Sequence, residues 1–169
     1  MHELQEADVR ILSALQLDGG LSIAALSEKV NLSHNSVWRR IKTLESDGVI
    51  QRRAVILSAE KIGLNLTVFV SIKASEHSEE WLERFAAVVR DLPEIVELYR
   101  MTGDVDYLMK VRVSSISDYD VVYKKLIAGA KLVDVSSAFV MEEMKHTTAL
   151  PLKAKPRAAL PPSPACPPR

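Results

Sequence analysis

Only one cysteine, Cys166, occurs in the 169 residues, so no internal disulfide can form and a reducing compartment is expected. No run approaches the ~20 consecutive apolar residues that a membrane-spanning helix needs. The first ten residues carry four charges and a histidine, unlike the apolar core of a signal peptide. A cytoplasmic protein with no membrane partner is therefore expected. Chemistry-bearing motifs are missing as well. The histidines stand at 2, 34, 77 and 146 without HExxH spacing, and there is no CxxC, no glycine-rich phosphate loop and no nucleophile elbow. These absences speak against a metalloprotease, a zinc site, a nucleotide enzyme and a serine hydrolase, and no cofactor or catalytic residue is expected.

Net charge is also lacking: 22 basic residues balance 22 acidic ones. A zero total argues against nucleic-acid binding only if the charges are evenly spread, and they are not. Residues 33–53 hold Arg39, Arg40, Lys42, Arg52 and Arg53 against Glu45 and Asp47 alone. Local charge is what a phosphate backbone meets. Residues 153–169 hold six of the eight prolines, four basic residues and no acidic one, and read as a disordered basic tail.

What is present is periodicity of two kinds. Apolar spacing predicts helices over 7–17, 23–30 and 33–46. Asp18-Gly19-Gly20 ends the first, Ser22 and Ser33 cap the next two, and Asp47-Gly48 closes the third. Residues 49–58 read as short extended pieces bearing Arg52 and Arg53, placed as a wing. The pattern then changes. Leu66, Val68, Val70 and Ile72 alternate with Thr67, Ser71 and Lys73 as in a strand. Trp81, Phe85 and Val88 return to helical spacing, and Pro93 marks the exit. Strands over 94–102 and 105–113 flank Gly103-Asp104, a two-residue hairpin signal. A helix over 117–130 and a strand over 133–144 complete a β-α-β-β-α-β order. The fold class expected is α+β: an N-terminal winged helix-turn-helix followed by a ferredoxin-like (ACT-like) domain. The boundaries are 1–58 for the DNA-binding domain, 59–65 for a linker, 66–152 for the effector-binding and oligomerisation domain, and 153–169 for the tail.

The strongest functional signal is Ala25 to Val37. A helix-turn-helix needs a short helix, a tight turn with a left-handed residue, and a second helix whose N-terminus is free. Asn31 takes the left-handed conformation at low cost, Leu32 plugs between the helices, and Ser33 caps the second helix. His34, Asn35 and Ser36 then project from its first turn, where polar side chains suit base edges and the helix dipole suits phosphate. Arg39 and Lys42 follow within reach of DNA. Arg40 lies three positions after Val37, near the buried stripe, where an ion pair inside the fold competes with a DNA role. Trp38 is expected as a partly buried anchor beside Ile41. A plain three-helix core with an exposed third helix is the bland alternative.

Several motifs in fixed order carry a family resemblance. They are Asp8-Val9-Arg10-Ile11-Leu12, Leu32-Ser33 and Arg40-Ile41-Lys42-Thr43-Leu44-Glu45-Ser46-Asp47-Gly48-Val49-Ile50, then Lys61-Ile62-Gly63-Leu64, Thr102-Gly103-Asp104-Val105-Asp106-Tyr107-Leu108 and Met144 to Pro151. Over about residues 4–152 the chain resembles the leucine-responsive/asparagine-operon (feast/famine) regulators. The resemblance implies a C-terminal domain that senses an amino acid, dimerises through its sheet and assembles to an octamer. It implies effector contact by Met101, Thr102, Gly103, Asp104 and Asp106, with Ser136 from the last strand. Val105 departs from the aromatic residue common there. The segments 61–64, 77–81 and 136–139 are similar to a cysteine-responsive branch, so cysteine is the first effector implied and a branched-chain amino acid the second.

Three functions are thus in play. The first is an effector-responsive transcription regulator that binds double-stranded DNA as a homo-oligomer. The second is a constitutive architectural DNA-wrapping protein without a ligand. The third, an amino-acid-binding subunit of an enzyme, leaves residues 1–53 without a role.

Overall fold

The structure is a computed structural model that describes residues 3–154. The described residues form two compact units: one runs to Val55 and resumes at His146, and the other is Ile56–Lys145. The basic tail expected for 153–169 lies outside the described residues from position 155 on.

The first unit is built on α1 (Glu6–Leu17), α2 (Ile23–Val30) and α3 (His34–Ser46). Each helix starts where the sequence offers a side chain to an unpaired N–H. The Ser22 and Ser33 hydroxyls accept from the backbone N–H of Ala25 and Ser36 at 3.2 and 3.3 Å. At the start of α1 the Asp8 carboxylate reaches back to the Gln5 N–H at 3.0 Å. Ile11, Ala14, Leu26, Val30, Val37 and Ile41 close a buried core from all three helices. The segment after residue 145 returns to this unit. The Gln16 side-chain amide donates to the Leu150 carbonyl at 3.2 Å and accepts from its N–H at 2.6 Å.

The segment after α3, expected as short extended pieces, pairs into no strand, and residues 51–58 are exposed. The Ile50 N–H turns back to the Leu44 carbonyl, and the chain then leaves without a second strand of this unit to pair with.

The second unit starts with a 3-10 turn, Glu60–Ile62, closed by Gly63 at φ +83°. It continues as β1 (Leu66–Ala74), α4 (Glu79–Arg90), β2 (Ile95–Arg100), β3 (Tyr107–Val113), α5 (Ile116–Gly129) and β4 (Leu132–Phe139). The sheet order is β2-β3-β1-β4 and every pairing is antiparallel, as the β-α-β-β-α-β reading requires. Strict alternation along β3 puts Tyr107, Met109, Val111 and Val113 into the core. There they meet Val68, Val70 and Ile72 of β1, Trp81 and Phe85 of α4, and Tyr119, Val122 and Leu126 of α5. At Gly129 of α5 the Val88 side chain of α4 fills the space that a Cβ would need.

Two strand limits differ from expectation for a physical reason. β4 stops at Phe139, not 144, because its partner β1 begins at Leu66 and the Val140 N–H takes the last acceptor, the Thr67 carbonyl. The β2–β3 hairpin is wider than two residues. The Met101 N–H bonds to the Asp106 carbonyl at 2.8 Å, so four residues, Thr102 to Val105, form the loop.

Both helices lie on one sheet face, and the register fixes what the other face shows. One row runs Ser136, Ser71, Leu108 and Tyr99 across the four strands, and the next runs Ala138, Phe69, Lys110 and Glu97. Lys110 bonds Glu97 at 3.3 Å across this face. The Tyr99 hydroxyl also donates to Glu97, and that bond followed by the carboxylate charge raises the phenol above its ordinary 10.0.

Candidate nucleic-acid interface and effector loop

The turn between α2 and α3 is built as the sequence suggests. Asn31 sits at φ 52°, ψ 55°, and its N–H caps α2 against Glu28 and Ser27. Among the described residues it is the one non-glycine with positive φ. Leu32 packs half-buried on the core, and Ser33 opens α3.

Helical spacing then divides α3. Val37, Ile41 and Leu44 are buried. Asn35, Trp38, Arg39 and Lys42 stand at i, i+3, i+4 and i+7, so they share the outward face, and all four are exposed. His34 is exposed beside them, whereas Ser36 is half-buried. Lys42 pairs with Glu45 at 3.0 Å. That pair is largely exposed, so it holds the lysine only weakly. Ser33, Asn35, Ser36, Trp38 and Arg39 line a surface hollow of about 410 Å³.

Arg40 is placed differently. Its guanidinium donates to the Asp8 carboxylate at 2.8 Å and to the Gln5 side chain at 3.0 Å. Asp8 is 5% exposed. Arg40 thus ties α3 to the start of α1, the ion-pair role that its position beside the buried stripe allows. Arg52 and Arg53 lie exposed on the strandless segment after α3.

Trp38 corrects an expectation. It is 56% exposed, not a partly buried anchor. One residue turns an α-helix by ~100°, which carries position 38 off the Val37 face, and Ile41 and Leu44 already fill the space against the core. The signal was present in the spacing to Asn35 and Lys42. Asp8 was also overlooked as a buried partner, because a carboxylate at apolar-stripe spacing is legible only when its cation is known.

In the second unit the β2–β3 loop carries Met101, Thr102, Gly103 and Asp104, all exposed. Gly103 lies at φ +108°, a conformation costly for any residue with a Cβ. Asp104 makes no hydrogen bond or ion pair among the described residues. Asp106 is engaged. Its Oδ2 accepts from the Ala74 N–H at 2.8 Å, its Oδ1 lies 3.7 Å from His77 Nε2, and its own N–H bonds the Ile72 carbonyl. Asp106 therefore anchors the loop to the end of β1 and leaves Asp104 as the free carboxylate. Ser136 is not brought to the loop. It stands on the edge strand β4, separated from β2 by β1 and β3.

Comparison with known proteins assigns both units. Residues 4–51 match the winged helix-turn-helix DNA-binding model, and residues 67–150 match the Lrp/AsnC ligand-binding domain. The glutamate uptake regulatory protein of Zymomonas mobilis is 52% identical over 152 residues, covering 90% of this chain and 93% of that protein. The crystal structure of an AsnC-family transcriptional regulator from Agrobacterium tumefaciens is 51% identical with a TM-score of 0.84, covering 88% and 97% of the two chains. A transcriptional regulator from Neisseria meningitidis, solved as a complex with L-Met, is 36% identical with a TM-score of 0.83, covering 88% and 96%.

Proposed function

The chain belongs to the Lrp/AsnC family of transcriptional regulators, and on that footing we propose that it is a DNA-binding regulator whose operator affinity answers to an amino acid. The observation that carries this reading is the face of α3. A left-handed turn and a serine cap present a free helix end, and Asn35, Arg39 and Lys42 follow it on one exposed line. Ser33, His34 and Ser36 surround the helix start, Arg52 and Arg53 meet flanking phosphates, and Arg40 supports α3 from within. Residues 1–58 bind DNA, 59–65 link, and 66–152 take the effector and form the oligomer. The protein acts by binding, not by catalysis, in the cytoplasm. Among the described residues no helix is long and apolar enough to cross a membrane.

The effector contacts from this loop are Met101, Thr102, Gly103 and Asp104, with Asp106 holding the loop in place, and Ser136, which β4 of the same chain keeps away from the loop, comes from another protomer of the assembly. Asp104 is the residue that meets the ammonium group. Cysteine is the first candidate and a branched-chain amino acid the second. The L-Met held by the Neisseria relative is of the same sulfur-containing kind as cysteine. Titration calorimetry with each of the twenty L-amino acids tests this. Asp104→Ala should weaken the bound effector about tenfold or more, the loss of one charge-assisted hydrogen bond, without changing operator affinity in its absence. If the wild type binds none, or both proteins bind equally, the constitutive DNA-wrapping reading takes over.

The helix-free sheet face predicts an assembly. Phe69, Tyr99, Leu108 and Ala138 form an apolar centre there, with Tyr99 half exposed at 51%. Two helices cover only the opposite face. A two-fold mate on this face gives the homodimer, from which an octamer assembles. Light scattering at micromolar concentration should show a dimer or larger species without DNA, and a monomer would contradict the assignment.

A further inference from the structure

We infer that Trp38 is a specificity-determining residue that packs its indole on thymine methyl groups in the major groove. The inference rests on the reading of α3 as the DNA-contacting helix and names a contact within it.

A large aromatic side chain in water forgoes its burial free energy, so an exposed indole needs either a partner or no consequence. Position matters here. Trp38 stands three residues after Asn35 and four before Lys42, directly beside Arg39, on the face turned away from Val37, Ile41 and Leu44. The core of this unit closes without it. Its neighbours around the surface hollow, Ser33, Asn35, Ser36 and Arg39, are all polar or cationic, so the indole is an isolated apolar body within a polar face. That chemistry fits duplex DNA better than a hydrophobic protein partner, which would need a wider apolar surface around the indole. Arg39 and Lys42 supply the charge complement to phosphate. The one apolar group that the major groove presents is the thymine C5-methyl. Asn35 and Arg39 carry hydrogen-bond chemistry for purine edges. Trp38 adds the contact that neither can make.

The second tryptophan makes the idea measurable. Trp81 is 1% exposed, stacks on Phe85 at 4.9 Å and donates its indole N–H to the Lys131 carbonyl at 2.9 Å. Acrylamide quenching of the free protein therefore reports mainly on Trp38.

The test uses the full-length protein and an operator recovered by selection from random duplexes. Each thymine is replaced singly by deoxyuridine, which removes the methyl group and leaves base pairing intact. Wild type should lose about three- to tenfold in affinity at one or two thymines per half-site, the worth of a buried methyl group. Trp38→Ala, checked by its melting curve, should bind more weakly and be indifferent to deoxyuridine at those positions. Quenching of wild type should fall on adding the operator, and Trp38→Phe should show no such change. Equal deoxyuridine losses in wild type and Trp38→Ala, or none in either, would overturn the inference. Unchanged quenching on saturation with operator would do the same. Failure to recover any operator would strike the DNA-binding reading itself and leaves a different signature.

Discussion

Replacing Asn35 and Arg39 together by Ala is expected to abolish operator preference while leaving the oligomer intact. Both side chains lie on the exposed line of α3, and neither belongs to the buried core. Asn pairs with adenine through N6 and N7, and Arg pairs with guanine through O6 and N7, each in a two-pronged geometry. Loss of one such pair costs about 1–3 kcal/mol, so the double variant should lose about 2–6 kcal/mol of discrimination, one to four orders of magnitude. Affinity for arbitrary DNA should fall less, because Lys42, Arg52 and Arg53, the proposed phosphate contacts, are unchanged. The contrast is with a Lys42→Ala, Arg52→Ala, Arg53→Ala triple variant. There binding should weaken evenly across sequences and the salt dependence should flatten. A double variant that protects the same operator site as wild type in a footprint would remove Asn35 and Arg39 from the reading surface.

Much of this molecule was legible before any coordinates. Asn31 and Ser33 carry local information: one tolerates a left-handed backbone and the other accepts a helix N–H, so turn and cap are visible in three residues. The alternation of Val68, Val70 and Ile72 and of Tyr107 to Val113 fixes strand faces with the same directness. What stayed hidden depends on partners far along the chain. The end of β4 is set by where β1 begins, and the width of the β2–β3 loop by one bond between Met101 and Asp106. Strand pairing is absent at 51–58 for a similar reason, since extended propensity there says nothing of whether a pairing strand exists. At the candidate effector loop the composition reads equally well with Asp104 or Asp106 as the ammonium acceptor. Only the bond from Ala74 to Asp106 separates an anchoring carboxylate from a free one.

Asp8→Ala is expected to disrupt the DNA-binding unit about as strongly as truncating a core residue, although it lies on α1 and away from the exposed line of α3. Asp8 is 5% exposed and has two duties. One oxygen accepts from the Gln5 N–H at the start of α1, and the other from the Arg40 guanidinium on α3. Alanine removes a helix cap and strips Arg40 of its anion at once. Breaking a buried pair on one side costs about 3–5 kcal/mol, and a lost cap about 1. The Arg40 side chain is 26% exposed, so water recovers part of the loss. A net cost of about 3 kcal/mol follows, a large share of the 5–15 kcal/mol typical of a domain. The melting transition of this unit should fall by about 10 °C or more, with hydrogen exchange accelerated along α1 and α3. Asp8→Asn keeps an acceptor for Gln5 but loses the charge, and should fall between. Asp8→Leu with Arg40→Met removes both charges, which costs far less than removing one. That double variant isolates the role of Arg40. With the unit stable again, operator affinity close to wild type means that Arg40 serves DNA binding by positioning α3. If Asp8→Ala melts like wild type and the double variant still loses the operator, the pair is dispensable to the fold and Arg40 reads DNA directly.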